Sequence, residues 1–157
     1  MIKVYGVHGS PYVRKVFIAL DIKDVPYEIV RQMPFSEDAE YLKINPLGKI
    51  SFLVDGDLTL CDSKVICQYL DDAYPEPRLY PTRPNDWARA AWYEDLAGGR
   101  VSELAASIFF QRFMRPLAFK QEPDEELIAR ITKVLKRLID SFATGNVIKN
   151  GIPVAIV

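Results

Sequence analysis

Two short segments of this sequence carry residue types suited to holding an anion. Gly9-Ser10-Pro11 follows an apolar, strand-like run, and Asp62-Ser63 stands ahead of a helical stripe. Ser10 is a good N-cap and Pro11 suits the first helical position. The unsatisfied N–H groups of a helix's first turn carry positive potential, so an anion placed there is stabilised. Asp62 and Ser63 open another helix start, where free N–H groups bind carboxylates. The plainer reading, in which these residues only cap their helices, is compatible with the same positions. Tyr5 and Tyr12 are rival hydroxyls and His8 a rival base. Tyr5 is expected to pack in the sheet and His8 to lie on a surface loop.

Composition narrows the chemistry. The 157 residues are 49% hydrophobic and 26% charged, a soluble globular composition with apolar surface enough to offset chain entropy. Net charge is −1, from 20 basic and 21 acidic residues. Nucleic-acid binding driven by counterion release needs a basic face, and none is visible. One histidine and two cysteines, Cys61 and Cys67, in neither CxxC nor zinc spacing give a metal few ligands, so no metal is expected. The cysteines read as small buried hydrophobes. No stretch of eighteen apolar residues suggests a membrane span, and Met1-Ile2-Lys3-Val4-Tyr5 runs straight into a strand pattern rather than a secretory signal. A cytoplasmic location is expected.

The elements that must position these residues follow from periodicity. Ile2 to Gly6 and Tyr27 to Arg31 read as strands joined through a helix carrying Val13, Val16, Phe17 and Leu20. Ser36 to Ile44 reads as a short helix stopped by Asn45-Pro46. Ser51 to Val54 and Leu58 to Cys61 form a hairpin about Asp55-Gly56-Asp57, and Ser63 to Asp72 is helical. A helix-linked strand pair should be parallel and a closing hairpin antiparallel. The expected fold is therefore an α/β thioredoxin-like domain over 1–77, a Pro-rich linker over 78–85, and an incomplete all-helical domain with an irregular tail over 86–157. Within the latter, helix is expected from Asp86 to about Phe113, with a weak point at Gly98-Gly99. A break is expected from Arg115-Pro116 to Glu122-Pro123, then helix from Asp124 to Phe142, then a hairpin or loose apolar end from Gly145 on.

Taken together, Tyr5-Gly6-Val7-His8-Gly9-Ser10-Pro11-Tyr12-Val13-Arg14-Lys15-Val16, Asn45-Pro46-Leu47-Gly48-Lys49-Ile50, Phe52-Leu53-Val54-Asp55-Gly56-Asp57 and Leu60-Cys61-Asp62-Ser63-Lys64-Val65-Ile66-Cys67-Gln68-Tyr69-Leu70 resemble the cytosolic glutathione transferase family, serine type. Ile108-Phe109-Phe110-Gln111-Arg112 and Arg115-Pro116-Leu117 resemble its second domain. The resemblance implies glutathione as co-substrate, conjugated through its thiolate to small apolar electrophiles, with Ser10 as the hydroxyl facing the sulfur. It implies that Lys49 pairs with the glycine carboxylate and that Ile50 bonds the cysteinyl backbone. Asp62 and Ser63 would hold the γ-glutamyl end. Phe109, Phe110, Phe113 and Met114 would line an electrophile pocket, the alternative being ordinary helix core. A homodimer is implied. Isomerisation, dehalogenation and peroxide reduction are sister activities, and the alternative is a non-catalytic binding or protein-interaction module on the same fold.

The sequence departs from the family pattern at Ser51, where the family carries a cis-proline: either the cis bond persists before serine or the loop goes trans and changes shape. It departs again in the helical domain, where the family's capping box before a buried helix is not found, so the domain reads as truncated.

Overall fold

Ile2 and Val4 alternate with Lys3 and Tyr5 in β1 (Ile2–Gly6), and this period of two sends their side chains to opposite faces. The computed structural model describes residues 1–143; the expected hairpin or loose end from Gly145 on lies outside the described residues. Strand β2 (Tyr27–Arg31) runs parallel to β1, β3 (Phe52–Asp55) antiparallel to β1, and β4 (Leu58–Cys61) antiparallel to β3, in the sheet order β2-β1-β3-β4. This is the mixed sheet of a thioredoxin-like fold.

Helix α1 (Pro11–Ile22) is the crossover between the parallel pair, and α3 (Ser63–Ala73) packs beside it. Their apolar stripes meet one face of the sheet. Ile2, Val4, Val13, Val16, Phe17, Leu20, Leu53, Ile66, Cys67 and Leu70 form a single buried cluster. Each such side chain contributes roughly 1.5–3 kcal/mol when fully buried. On the other face, the short helix α2 (Ala39–Ile44) brings Tyr41 against Tyr5 and Phe52, with ring centroids 5.5–6.0 Å apart. Helix α2 begins later than the sequence suggests, because Asp38 is the cap: its carboxylate accepts the Glu40 and Tyr41 N–H groups.

The Pro-rich stretch after α3 is tied down rather than free. The Lys23 ammonium lies 3.0 Å from the Asp71 carboxylate, with their side chains 0% and 4% exposed. Its other donors go to the carbonyls of Tyr74 and Pro77. Asp71 in turn accepts the Leu79 N–H at 2.7 Å and the Tyr80 N–H at 3.3 Å. Residues 1–83 make one compact unit, and a second starts at Pro84.

The second unit is helical: α4 (Pro84–Asp95), α5 (Ser102–Phe109), α6 (Arg115–Phe119) and α7 (Glu125–Ala143). Two wider π-helical turns, Leu96–Val101 and Phe110–Met114, join α4 to α5 and α5 to α6. The weak point at Gly98-Gly99 is thus a widened turn and not a break. The break expected to begin at Arg115-Pro116 is also corrected: helix continues to Phe119 and ends at Lys120, which is left-handed. Pro116 lacks an N–H, and the π turn just before it has already displaced the regular ladder, so the missing donor is absorbed there. Gln111 accepts from Arg115 and from the Asp124 N–H, both at 3.0 Å, fastening this turn to the start of α7.

Burial by itself raises the Asp71 carboxyl. The Leu79 N–H, Lys23 and the Tyr80 N–H outweigh it and hold the group below the ordinary carboxylate value. Its folded pKa lies below its unfolded value of about 3.9, so its contribution is complete above that pH and is lost as pH falls through the folded value. Denaturant titration should therefore show stability falling below about pH 4 in the parent chain but less steeply in Asp71→Asn. Lys23→Met, which leaves the buried Asp71 carboxylate with only the part-exposed Arg78 as a charged partner, should lower the unfolding free energy at pH 7 by up to about 3–5 kcal/mol, part of which Lys23→Met/Asp71→Asn recovers.

Candidate functional site

Sheet register brings the three candidate segments together. Tyr5 pairs with Phe52 and Phe52 with Cys61, so the end of β1, the start of β3 and the end of β4 share one row across adjacent strands. Strands lie about 4.8 Å apart, so the row is about 10 Å wide. Beyond it, β1 leads to Ser10, β3 is preceded by Lys49-Ile50, and β4 leads to Asp62-Ser63. The C-terminal edge of β1 and β4 is thus also where the N-termini of α1 and α3 converge, and their positive ends face the same side.

Each segment is held locally. Gly6 lets α1 approach β1: a Cβ at that position would meet the Val13 Cγ2 at 2.4 Å. The Ser10 N–H bonds the Val7 carbonyl at 3.0 Å, and Ser10 Oγ accepts the Val13 N–H at 3.4 Å. A hydroxyl accepts through its lone pairs, so Ser10 caps α1 while its own proton remains available to an anion. Asp62 caps α3, its carboxylate accepting the Lys64 N–H at 2.9 Å. It does so at φ 75° and ψ 121°, a conformation that costs a non-glycine residue of order 1–3 kcal/mol. Ser63 is buried at the first helical position.

The Lys49-Ile50 segment hangs on a buried loop. Gly48 turns the chain with φ +59°, and a Cβ there would come within 3.2 Å of the Ser36 carbonyl oxygen. Asn45 is fully buried; its Nδ2 donates to the Lys49 carbonyl at 2.6 Å and to the Tyr41 hydroxyl oxygen at 2.8 Å. The Tyr41 hydroxyl donates to the same carbonyl at 2.6 Å, and the Cys61 thiol donates to Asn45 Oδ1 at 3.4 Å. Burial raises the Tyr41 phenol above its ordinary value. Burial and the Asp62 charge raise the Cys61 thiol, so both remain proton donors at neutral pH. The Ile50–Ser51 bond is cis, so the trans alternative for this loop is set aside. The Ser51 side chain is inside, and its hydroxyl has no hydrogen-bond partner among the described residues.

Ser10, Lys49, Ile50, Asp62 and Ser63 therefore share one end of the first unit, with Lys49 exposed and Ile50 half-buried. Phe109, Phe110 and Phe113 lie in the second unit with exposed rings; Phe109 and Phe113 stack at 5.1 Å. His8 is exposed and its ring packs against Phe17, while Tyr5 packs against Tyr41 and Phe52. Sequence reasoning missed Tyr41 and read Asn45 only as a helix stop. The one available signal was the Tyr-Leu-Lys-Ile-Asn spacing of four, which stacks Tyr41 and Asn45 on one helix face. Among the described residues, no group of three or more His, Cys, Asp or Glu stands close enough to hold a metal ion, and no helix is long and apolar enough to cross a membrane.

Residues 4–78 match the family model described as glutathione S-transferase, N-terminal domain. The chain is 40% identical over 84 residues to glutathione S-transferase Z2 of Arabidopsis thaliana, an alignment covering 52% of this chain and 38% of that protein. It is 31% identical over 138 residues to the uncharacterized GST-like protein YibF of Escherichia coli, covering 87% of this chain and 66% of that one. Among solved structures, glutathione transferase F2 of Populus trichocarpa superposes with a TM-score of 0.79 at 26% identity, over 92% of this chain and 70% of its own. The chain thus spans between 38% and 66% of the length of these two sequence relatives.

A buried hydroxyl without a partner loses its hydration and gains nothing in return. Ser51→Ala should raise the unfolding free energy by about 1–3 kcal/mol, read from the denaturant midpoint at unchanged slope.

Proposed function

We propose that this chain, which belongs to the glutathione S-transferase family, binds glutathione along the shared edge of β1, β3 and β4 and promotes attack of its thiolate on small apolar electrophiles. The observation that carries the reading is the convergence of the two capped helix N-termini and the Lys49-Ile50 segment at one row of the sheet. Glutathione is a tripeptide with a carboxylate at each end and a thiol in the middle. Its γ-glutamyl carboxylate is matched to the first turn of α3, where Ser63 and Asp62 stand and the amine meets the Asp62 carboxylate. Its glycine carboxylate is matched to Lys49, and its cysteinyl backbone pairs with Ile50 as an added strand does.

The thiol then falls beside Ser10. A free thiol has a pKa of about 8.5 and is mostly protonated at neutral pH. A hydrogen bond to an ion contributes about 1.5–3 kcal/mol, and a helix N-terminus about 0.3–1 kcal/mol. At about 1.4 kcal/mol per pKa unit, these effects lower the thiol by about one to three units, which brings it to near or below neutral pH and makes the thiolate a major form. The sulfur lone pair forms the new C–S bond. The electrophile's leaving group departs with the electrons of the broken bond, or, in an addition, the adjacent carbon takes up a proton. A homodimer in the cytoplasm belongs to the same proposal.

Calorimetric titration with glutathione should give saturable binding that Asp62→Ala and Ser63→Ala each weaken at least tenfold. Ser10→Ala should leave affinity within about twofold and cut turnover of an aryl halide by about 10–100-fold, the rate equivalent of one charged hydrogen bond. Absence of binding to the folded chain, or full turnover by Ser10→Ala, would overturn the reading.

A further inference from the structure

The Lys49 carbonyl is the acceptor of two side-chain donors, the Tyr41 hydroxyl and Asn45 Nδ2, each at 2.6 Å. Such convergence on one backbone oxygen is more than a loop needs to satisfy its polar groups. The loop is already closed by its own backbone, with the Gly48 N–H on the Asn45 carbonyl at 2.9 Å and the Phe35 N–H on the Gly48 carbonyl at 2.7 Å. The three side chains form a closed circuit. Asn45 uses both amide protons, one on the Lys49 carbonyl and one on the Tyr41 oxygen; Tyr41 uses its proton on Lys49; and the Cys61 thiol fills the Asn45 acceptor. Tyr41 is 5% exposed and Asn45 0%, so the bond between them is shielded from solvent and the bonds to Lys49 and from Cys61 are partly so. Cys61 is also the last residue of β4, one residue ahead of Asp62, so the circuit fastens the loop to the strand that leads into α3.

The consequence follows from peptide planarity. The Lys49 carbonyl and the Ile50 N–H belong to one peptide plane, and that bond is trans, so the two groups point in opposite directions. Drawing the carbonyl inward onto Tyr41 and Asn45 turns the Ile50 N–H away from the protein body. No acceptor among the described residues takes that N–H. We infer that Tyr41 and Asn45, backed by Cys61, are positioning residues that hold the Ile50 N–H ready for a carbonyl of the bound tripeptide. The inference rests on the glutathione reading above and adds to it the residues that set one of its contacts. Neither side chain meets the ligand, so both act on glutathione affinity and leave the reacting sulfur to Ser10.

A purely structural staple would move stability without choosing between binding and turnover, and that difference is the test. The probe is glutathione, added to the ¹⁵N-labelled chain and to its Tyr41→Phe and Asn45→Ala variants. Tyr41→Phe keeps the ring on Tyr5 and Phe52 and deletes only the hydroxyl, which donates to the Lys49 carbonyl and accepts from Asn45 Nδ2, so its folding is the control. With thermal melting close to that of the parent, it should raise KM for glutathione about tenfold while kcat at saturating glutathione stays within about twofold. The Ile50 amide shift on titration should shrink, and the shifts of Ser63 and Lys64 should persist. Asn45→Ala should do the same more strongly. Parental KM and an intact Ile50 shift in both variants would overturn the positioning role while leaving the glutathione reading in place, as would losses that scale only with melting temperature. Failure of the parent chain to take up glutathione would overturn both at once, and the parent titration alone shows which case holds.

Discussion

The pairing of Tyr5 with Phe52 and of Phe52 with Cys61 aligns three chain segments that are far apart in sequence. Everything at the candidate site is measured from that row. Because β1 and β4 run the same way, their C-terminal ends point to the same edge, and each is followed within a few residues by a helix start. Because β3 runs the other way, its entrance lies at that edge too. A shift of one residue in any of these pairings would send Val4 and Leu53 out of the core, so burial on one face holds the site together on the edge.

Two different kinds of interaction support this row. On one face, α1 and α3 bury an aliphatic cluster in which size and shape decide the packing. On the other, Tyr41, Phe52 and Tyr5 pack as rings, and the Tyr41 hydroxyl reaches past them to the Lys49 carbonyl. The aromatic face therefore carries a polar tip where the aliphatic face does not, and that tip is what gives the loop before β3 its orientation. At the far end of the same helices, the Lys23–Asp71 pair ties the end of α1 to the end of α3 and to the chain beyond it. A buried ion pair recovers its desolvation only when all its donors and acceptors are met, and the Tyr74, Pro77, Leu79 and Tyr80 backbone groups meet them.

The strained backbone at Asp62 and the unpartnered Ser51 hydroxyl both lie in this same region. Unfavourable local choices persist where surrounding structure over-determines them, and such places tend to coincide with function. In the second unit, the two π turns show the related effect of a helix absorbing a difficulty. Two adjacent glycines and an internal proline both occur within a run that stays helical from Pro84 to Phe119.

By itself the sequence determined the element types and their order, because period, capping residues and turn residues are local properties: Ser10-Pro11 opens a helix, Asp55-Gly56-Asp57 joins a hairpin, and Val13, Val16, Phe17 and Leu20 share a helix face wherever they are found. The motif segments were legible for the same reason, and with them the family. What only the tertiary structure decided are relations across sequence distance. No spacing announces that Lys23 meets Asp71, 48 residues on, or that Asn45 and Tyr41 converge on the Lys49 carbonyl and reach Cys61. The passage of helix through Pro116 likewise went against local preference. In each case the burial and hydrogen bonding of surrounding elements, which a local pattern does not contain, set the outcome.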